Sequence, residues 1–334
     1  MRRRRKAITA VMIATVLLSV TIIILYQHSS GSRPPELIQA GDSKTRCLNV
    51  GLGAPLRQVD QVTGIDFTCL ETFTNMDPTW SSWVSPWVTH KGYGYKTWLA
   101  ADPTRRQIIM TQNLVPTSAA KDADWTANCA AGDYNVYARE LARNLVATGF
   151  GYAVLRLGAE MNGTWNVGSL GTTVKEWHQW GLCFAQEVET MRGIRGSHFL
   201  FDWDINANFR DISLAAFYPG NSYVDIIGID AYDASSKPLP RVGSTARWAA
   251  LTSEADGLDA IESFAVAHQK PLSIPEWATV AWQGADQLHI AWVLDLEYLA
   301  DRLFYRILLV VYGHDDRQLQ LRAEAPSFPG SCEP

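Results

Sequence analysis

The stretch Arg156-Leu-Gly-Ala-Glu-Met-Asn-Gly-Thr-Trp165 joins a short apolar run to one carboxylate and one aromatic residue. The run Tyr152–Leu157 is short and continuous, so it predicts a buried parallel strand. Glu160 then comes at the carboxyl end of this strand. In α/β barrels that end forms the mouth, where the side chains that carry chemistry are exposed.

A second stretch, Pro271-Leu-Ser-Ile-Pro-Glu-Trp277, repeats this arrangement. Glu276 ends another buried run and is followed at once by a tryptophan. Two carboxyl groups that face one another are the minimum apparatus for cleaving a glycosidic bond. We therefore expect Glu160 and Glu276 to meet at one mouth.

Short apolar runs alternate with helical patterns along the whole chain, which predicts βα units and a parallel sheet. Helices are expected at Tyr134–Ala147, Val174–Met191, Ser244–His268 and Asp286–Arg302. Eight strands are expected, at Leu48–Leu52, Phe67–Glu71, Gln107–Thr111, Tyr152–Leu157, His198–Trp203, Val224–Ile229, Pro271–Ile274 and Arg306–Val311. This pattern predicts a (β/α)8 TIM barrel. The alternative is a doubly wound open sheet, but Gly51-Leu-Gly-Ala-Pro55 lacks the third glycine of a phosphate-binding turn.

The N-terminus predicts a membrane anchor. Residues 1–6 are a basic cap, and the twenty residues 7–26 carry no charge, which is enough to span a bilayer. The basic cap places the rest of the chain outside the cytoplasm. Residues 27–46 are expected to form a linker and residues 47–334 a single domain. A cleaved signal peptide, which would make the protein secreted, is the alternative.

Composition favours an uncharged partner. The whole chain has a net charge of −5, and without the five basic residues of the cap 24 basic residues stand against 34 acidic ones, which disfavours nucleic acid. The 47% of hydrophobic residues suffice for a large core. We expect a monomer that binds a polysaccharide or oligosaccharide and contacts the membrane through its anchor. No histidine pair has metal-ligand spacing, so neither a metal nor an organic cofactor is expected.

The five cysteines leave at least one unpaired. Cys47 and Cys332 flank the domain, and the ends of a closed barrel meet, which favours a bond between them. Cys129 and Cys183 belong to successive predicted helices and form the second expected pair. Cys69, inside an apolar run, is expected to be a buried free thiol.

Polar and aromatic residues also end the fifth and sixth strands. Phe201-Asp-Trp-Asp-Ile-Asn206 is one such segment, and Asp230-Ala-Tyr232 is the other. Tyr232 is expected to hydrogen-bond Glu276. A purely structural ion pair between Arg156 and Glu160 is the alternative for the fourth strand. Substrate contacts are expected from Arg156, Asn162, Trp165, Asn206, Asp230, Trp277 and Tyr312.

The pattern Arg-x-x-x-Glu-x-Asn-Gly-x-Trp, together with Phe217–Tyr232, resembles glycoside hydrolase family 26, the β-mannanase family. The resemblance extends from about Cys47 to the C-terminus. It implies that Glu160 is the general acid/base, Glu276 the nucleophile and Tyr232 the tyrosine beside the nucleophile. It further implies a retaining, endo-acting hydrolase of a neutral β-linked polysaccharide.

The chain departs from this family beside the acid/base. Characterised mannanases of the family usually have a histidine where this chain has Ala159, and aromatic residues where it has Asn166-Val-Gly168. The resemblance therefore leaves β-mannan and mixed-linkage, β-1,3- or β-1,4-glucan open as substrates. A catalytically silent glycan-binding barrel at the cell surface is the alternative function.

Overall fold

A computed structural model describes residues 45–49, 68–74, 77–207, 212–232, 249, 251–253, 255–278 and 307–312. All of them lie within one compact unit, Glu36–Pro334. The predicted cytoplasmic cap and membrane span, and the predicted helix Asp286–Arg302, lie outside the described residues. Within the described part of the chain, none of the helices combines the length and apolar character needed to cross a membrane.

Eight parallel strands pair in sequence order, and the last pairs with the first to close a barrel. The strands are β1 Thr45–Asn49, β2 Cys69–Phe73, β3 Gln107–Gln112, β4 Val154–Leu157, β5 Leu200–Asn206, β6 Ile226–Tyr232, β7 Leu272–Ala278 and β8 Ile307–Tyr312. Each overlaps the strand predicted at its place. β1 begins two residues before the predicted start of the domain.

The described helices lie between successive strands. They are α1 Trp80–Trp83, α2 Tyr95–Ala101, α3 Thr117–Ala120, α4 Trp125–Ala130, α5 Asn135–Thr148, α6 Val174–Arg192 and α7 Leu258–His268, with 3-10 turns at Trp87–Thr89, Lys91–Tyr93 and Leu214–Ala216. Local sequence sets their ends. Gly149 ends α5 in the left-handed conformation that glycine adopts most easily. Thr173 and Glu176 form a capping box at the start of α6.

The inside of the barrel is layered. Cys47, Cys69, Ile109, Val154, Leu200 and Ile226 form one apolar cluster. Side chains two residues apart on a strand share a face, so the next inward positions are Glu71, Thr111, Arg156, Asp202 and Gly228. This second layer is polar and lies nearer the mouth. The separate, larger apolar cluster includes residues of helices α5 and α6, such as Leu141 and Phe184.

One predicted disulfide is wrong. Cys47 bonds Cys69 across the neighbouring strands β1 and β2, and not Cys332. Cys69 is therefore not a free thiol. The two residues face the same apolar layer, where adjacent parallel strands bring side chains within bonding reach. Cys129 bonds Cys183, the other expected pair, and this bond links α4 to α6.

Candidate active site

Arg156 on β4 is the centre of a network of buried carboxylates. Its Nη1 donates to Glu71 and to Thr111 Oγ1 at 2.9 Å, and its Nη2 donates to Asp204 and to Asp230 Oδ2 at 2.8 Å. The guanidinium side chain is fully buried. Because these acceptors come from β2, β3, β5 and β6, the one cation on β4 ties five of the eight strands together below the mouth.

Glu276 on β7 is the network's outermost carboxylate. Its Oε1 accepts a hydrogen bond from Arg156 Nη1 at 3.3 Å, and its Oε2 accepts one from the Tyr232 hydroxyl at 2.7 Å. Burial, followed by the charges of Glu276 and Asp230, raises the pKa of Tyr232. The phenol therefore stays protonated and donates. Both oxygens of Glu276 are thus oriented by the protein.

An irregularity in β7 turns Glu276 inward. Ser273 pairs with Gly228 and Glu276 pairs with Asp230, so β7 has one residue more than β6 between these two pairs. Ser273 donates to Asp202 inside the barrel at 2.6 Å. Strict alternation would put Ser273 and Glu276 on opposite faces, and the extra residue restores them to one face. Pro275 lies in this segment, where the missing N–H costs no regular ladder bond.

Glu160 lies in the turn after β4, three residues beyond the strand's end. Its backbone φ is +51°, an uncommon conformation for a residue other than glycine. Gly158, at φ +61°, makes the turn possible, because a Cβ there would lie 2.8 Å from Trp180 Cζ2. The backbone strain at Glu160 is of the kind that clusters at functional sites.

Three side chains donate to the Glu160 carboxyl group. Trp165 Nε1 and Asn166 Nδ2 bond Oε2 at 2.5 and 3.2 Å, and Asn206 Nδ2 bonds Oε1 at 2.7 Å. Burial, with a further contribution from the charge of Glu276, nevertheless raises the pKa of Glu160 to about 7. Glu160 can therefore hold a proton near neutral pH while its orientation is set by neutral donors.

The polar layer retains protons of its own. Burial raises the pKa of Glu71 to about 8, although Arg156 opposes this shift. Burial and the charge of Asp204 raise the pKa of Asp202 to about 7, and burial also raises the pKa of Asp230. One guanidinium cannot compensate for all of these carboxylates at once. Part of the layer is therefore neutral at neutral pH.

Several of the residues predicted to contact substrate are buried. Arg156, Asn162 and Asp230 are fully buried, and carboxylates or backbone groups bond most of their polar atoms, whereas Arg156 Nε and Asp230 Oδ1 have no partner among the described residues. Asn162 donates to the Asn206 carbonyl at 2.7 Å and so holds the end of β5 in place. The alternative of an ion pair between Arg156 and Glu160 is also wrong, because the described ion pairs of Arg156 are with Glu71, Asp204, Asp230 and Glu276.

The other predicted contacts divide into two groups. Trp165 is 48% exposed and Asn206 is nearly buried, and both touch Glu160. Trp277 is the last but one residue of β7 and Tyr312 is the last residue of β8, but their side chains lie outside what the structure describes.

Sequence reasoning missed Glu71, Asp204 and Asn166 as members of the site. Glu71 ends the predicted second strand in the same way that Glu276 ends the seventh, and this signal was present in the sequence. Asn166 follows Trp165, and its contact with Glu160 depends on the turn.

Among the residues that the structure describes, Cys129, Cys183 and Glu187 form the one cluster with three potential metal-ligand atoms close together. Both sulfurs belong to a disulfide, so this cluster does not fit a metal ion.

One family model matches part of this sequence, and several solved structures share its fold. The model of glycosyl hydrolase family 26 matches residues 117–255, a segment that contains Glu160, Asn206 and Tyr232. The YdhT protein of Bacillus subtilis is similar in structure, with a TM-score of 0.57 and 16% identity over 86% of this chain and 89% of that one. No curated protein matches the sequence.

Two solved structures of mannanases are also similar. The catalytic domain of the Bacillus sp. JAMB-750 GH26 endo-β-1,4-mannanase has a TM-score of 0.55 and 17% identity, over 83% of this chain and 79% of that one. The GH26 β-mannanase BoMan26A of Bacteroides ovatus has a TM-score of 0.54 and 12% identity, over 80% of each chain. At these identities the likeness shows a shared fold.

Proposed function

We propose that this chain, whose residues 117–255 match the model of glycosyl hydrolase family 26, cleaves a neutral β-linked polysaccharide by double displacement, within the polymer and with retention of configuration. The main support for the proposal is that the protein surrounds the two carboxyl groups at the mouth in different ways. Glu276 is oriented through both oxygens, whereas Glu160 has a pKa raised to about 7 by burial. Retaining glycosidases need one nucleophile and one proton donor of this kind.

In the first step Glu276 attacks the anomeric carbon and forms a covalent glycosyl-enzyme. Glu160 gives its proton to the departing glycosidic oxygen. In the second step the ionised Glu160 takes a proton from water, which then displaces Glu276 and restores the starting state. For this mechanism we expect the two carboxyl groups to lie about 5–5.5 Å apart.

The Tyr232 hydroxyl and Arg156 keep Glu276 aligned during both steps, and Asn206, Trp165 and Asn166 orient Glu160. Trp165 is half exposed beside Glu160, so its ring can also contact a bound sugar. Ala159 is buried and stands where characterised mannanases of the family usually have a histidine. Both β-mannan and β-glucans remain substrates to be tested.

The test is a hydrolysis screen on β-mannan, mixed-linkage β-glucan, β-1,3-glucan and β-1,4-glucan with wild type and Glu276→Gln. We expect wild type to release oligosaccharides from at least one polymer and the variant to release none. NMR of the first products should show the anomeric configuration of the substrate. Binding by both proteins without hydrolysis by either would instead support a glycan-binding barrel, and inverted products would overturn the double displacement.

A further inference from the structure

The barrel end opposite the two glutamates carries an apolar groove with cationic side chains, and we propose that this end docks on an anionic phospholipid bilayer, with one acyl chain in the groove. The proposal concerns a surface remote from Glu160 and Glu276. It therefore stands apart from the proposed hydrolysis.

The groove lies where the strands begin. It has a volume of about 410 Å³ and is lined by α2, by the start of β3, by the last residue of α5 and by the residues that lead into β4. Leu99, Ile108, Phe150 and Ala153 form its apolar part. A concave, apolar surface of this kind binds hydrocarbon by removing it from water.

Two cations line the same groove. Lys96 is exposed on α2. Arg106 donates from Nη1 to the Trp98 carbonyl at 3.1 Å, and its guanidinium lies 4.8 Å from the Trp98 ring centroid. Both cations are therefore held by or close to one short helix. A lysine or arginine can pair with the phosphate of an anionic lipid, while the apolar surface beside it contacts the acyl chain of the same lipid.

Charge distinguishes the two ends of the barrel. In the described loops that lead into β3 to β7, the basic side chains are Arg105, Arg106, Arg195 and Lys270, and the acidic ones are Asp102 and Asp225. In the described loops at the mouth the balance is reversed, with Lys91 and Lys121 against Asp77, Asp122, Asp124, Asp133, Glu160 and Asp256. Over these described loops, an anionic bilayer therefore attracts the groove end more strongly than the mouth.

The chain also enters the barrel at the groove end. All strands are parallel, so β1 begins, at Thr45, on the same side as the starts of β3 and β4. The uncharged run 7–26 is separated from β1 by residues 27–44 alone, whose reach is at most about 60 Å when fully extended. With the run 7–26 taken as a membrane anchor, this length leaves the start of β1 within reach of the bilayer.

The test is hydrogen–deuterium exchange of the full chain, as isolated from cells, with phosphatidylglycerol or phosphatidylcholine vesicles. We expect slower exchange in residues 95–106 and 148–154 with phosphatidylglycerol, little change with phosphatidylcholine, and loss of the effect in high salt. Residues 160–170 at the mouth should be unaffected. Lys96→Gln and Arg106→Gln should each shift docking roughly fivefold toward the free state, since each cation near an anionic surface contributes about 1 kcal/mol of binding and about 1.4 kcal/mol corresponds to a factor of ten.

Lys121→Gln is the matched control, because it removes an exposed lysine at the mouth end. If Arg106→Gln lowers the melting temperature, its effect on docking cannot be separated from its effect on folding. The result for Lys96→Gln then decides whether the cations promote docking, since Lys96 is exposed and its replacement should not affect folding. Equal protection by both lipids, protection at the mouth, or equal loss in Lys121→Gln would overturn the proposal. Hydrolysis of a soluble oligosaccharide by the same variants should equal that of wild type, and a failure of hydrolysis in all of them would count against the proposed function alone.

Discussion

The Tyr232 hydroxyl donates a 2.7 Å hydrogen bond to Glu276 Oε2 across the neighbouring strands β6 and β7. The strands pair through Asp230 and Glu276, so Tyr232 lies two residues further along the same face of β6. The phenol can therefore reach over Asp230 to the carboxylate. The second oxygen of Glu276 remains with Arg156.

Tyr232→Phe should lower kcat by roughly ten- to a hundredfold, with a smaller effect on KM. A hydrogen bond to a charged group contributes about 1.5–3 kcal/mol, and about 1.4 kcal/mol corresponds to a factor of ten. Steady-state kinetics on the best substrate measures the effect. An unchanged kcat would mean that the bond to Glu276 has no part in turnover.

Glu160→Ala and Glu276→Ala should each abolish cleavage without unfolding the barrel, because each removes a carboxyl group at the mouth. Azide should restore turnover to Glu276→Ala and give a glycosyl azide of inverted configuration, since a small anion can occupy the space of the lost nucleophile. Circular dichroism checks the fold. Near-wild-type turnover by Glu276→Ala on every substrate would show that the nucleophile lies elsewhere.

Asn166→Ala should move the alkaline limb of the pH–kcat/KM profile to higher pH, by up to about one unit. Asn166 donates to Glu160, and a donor stabilises the ionised form, so its loss raises the pKa of Glu160 further above about 7. Ser169→Ala is the matched control, because the Ser169 hydroxyl donates to the Asn166 carbonyl and is not among the described donors to Glu160. A shift of equal size in the control would exclude a direct effect of Asn166.

Glu71→Gln should flatten the dependence of the unfolding free energy on pH. The pKa of Glu71 is raised from 4.5 to about 8, so the unfolded chain loses this proton at lower pH than the folded chain. Wild-type stability from this group is therefore present at low pH and is lost as the pH rises from about 4.5 to about 8. The loss is on the order of a few kcal/mol.

Urea unfolding at pH 5, 6.5 and 8 measures this slope. Glutamine can still accept the bond from Arg156, and Glu189→Gln, at an exposed position on α6, is the control. Equal slopes for wild type and Glu71→Gln would contradict the retention of a proton by Glu71.

Replacing Cys47 and Cys69 together by serine should lower the unfolding free energy by about 3 kcal/mol, because the bond closes a loop with a sequence separation of 22. Cys332→Ser should have little effect by comparison. Thiol labelling of the denatured, unreduced protein should modify Cys332 and leave the other four cysteines intact. Labelling of Cys69 would contradict the pairing described here.

The architecture could be predicted because it depends on local patterns. Eight apolar runs separated by helical periodicity leave few arrangements other than a parallel barrel, and Glu160, Tyr232 and Glu276 each follow such a run. The disulfide of Cys47 could not be predicted in the same way. Its partner depends on which side chains of neighbouring strands share a layer, and the position of the two chain ends suggested a different cysteine.

The sequence by itself determined the order of the strands and the carboxylates at their ends, because strand formation and alternation are local properties. Tertiary structure alone decided which carboxylates share Arg156, since four strands distant in sequence supply them. It also decided the inward direction of Glu276, which requires the extra residue in β7. Burial then set the proton affinity of Glu160, because desolvation depends on everything packed around the carboxyl group and on no short motif.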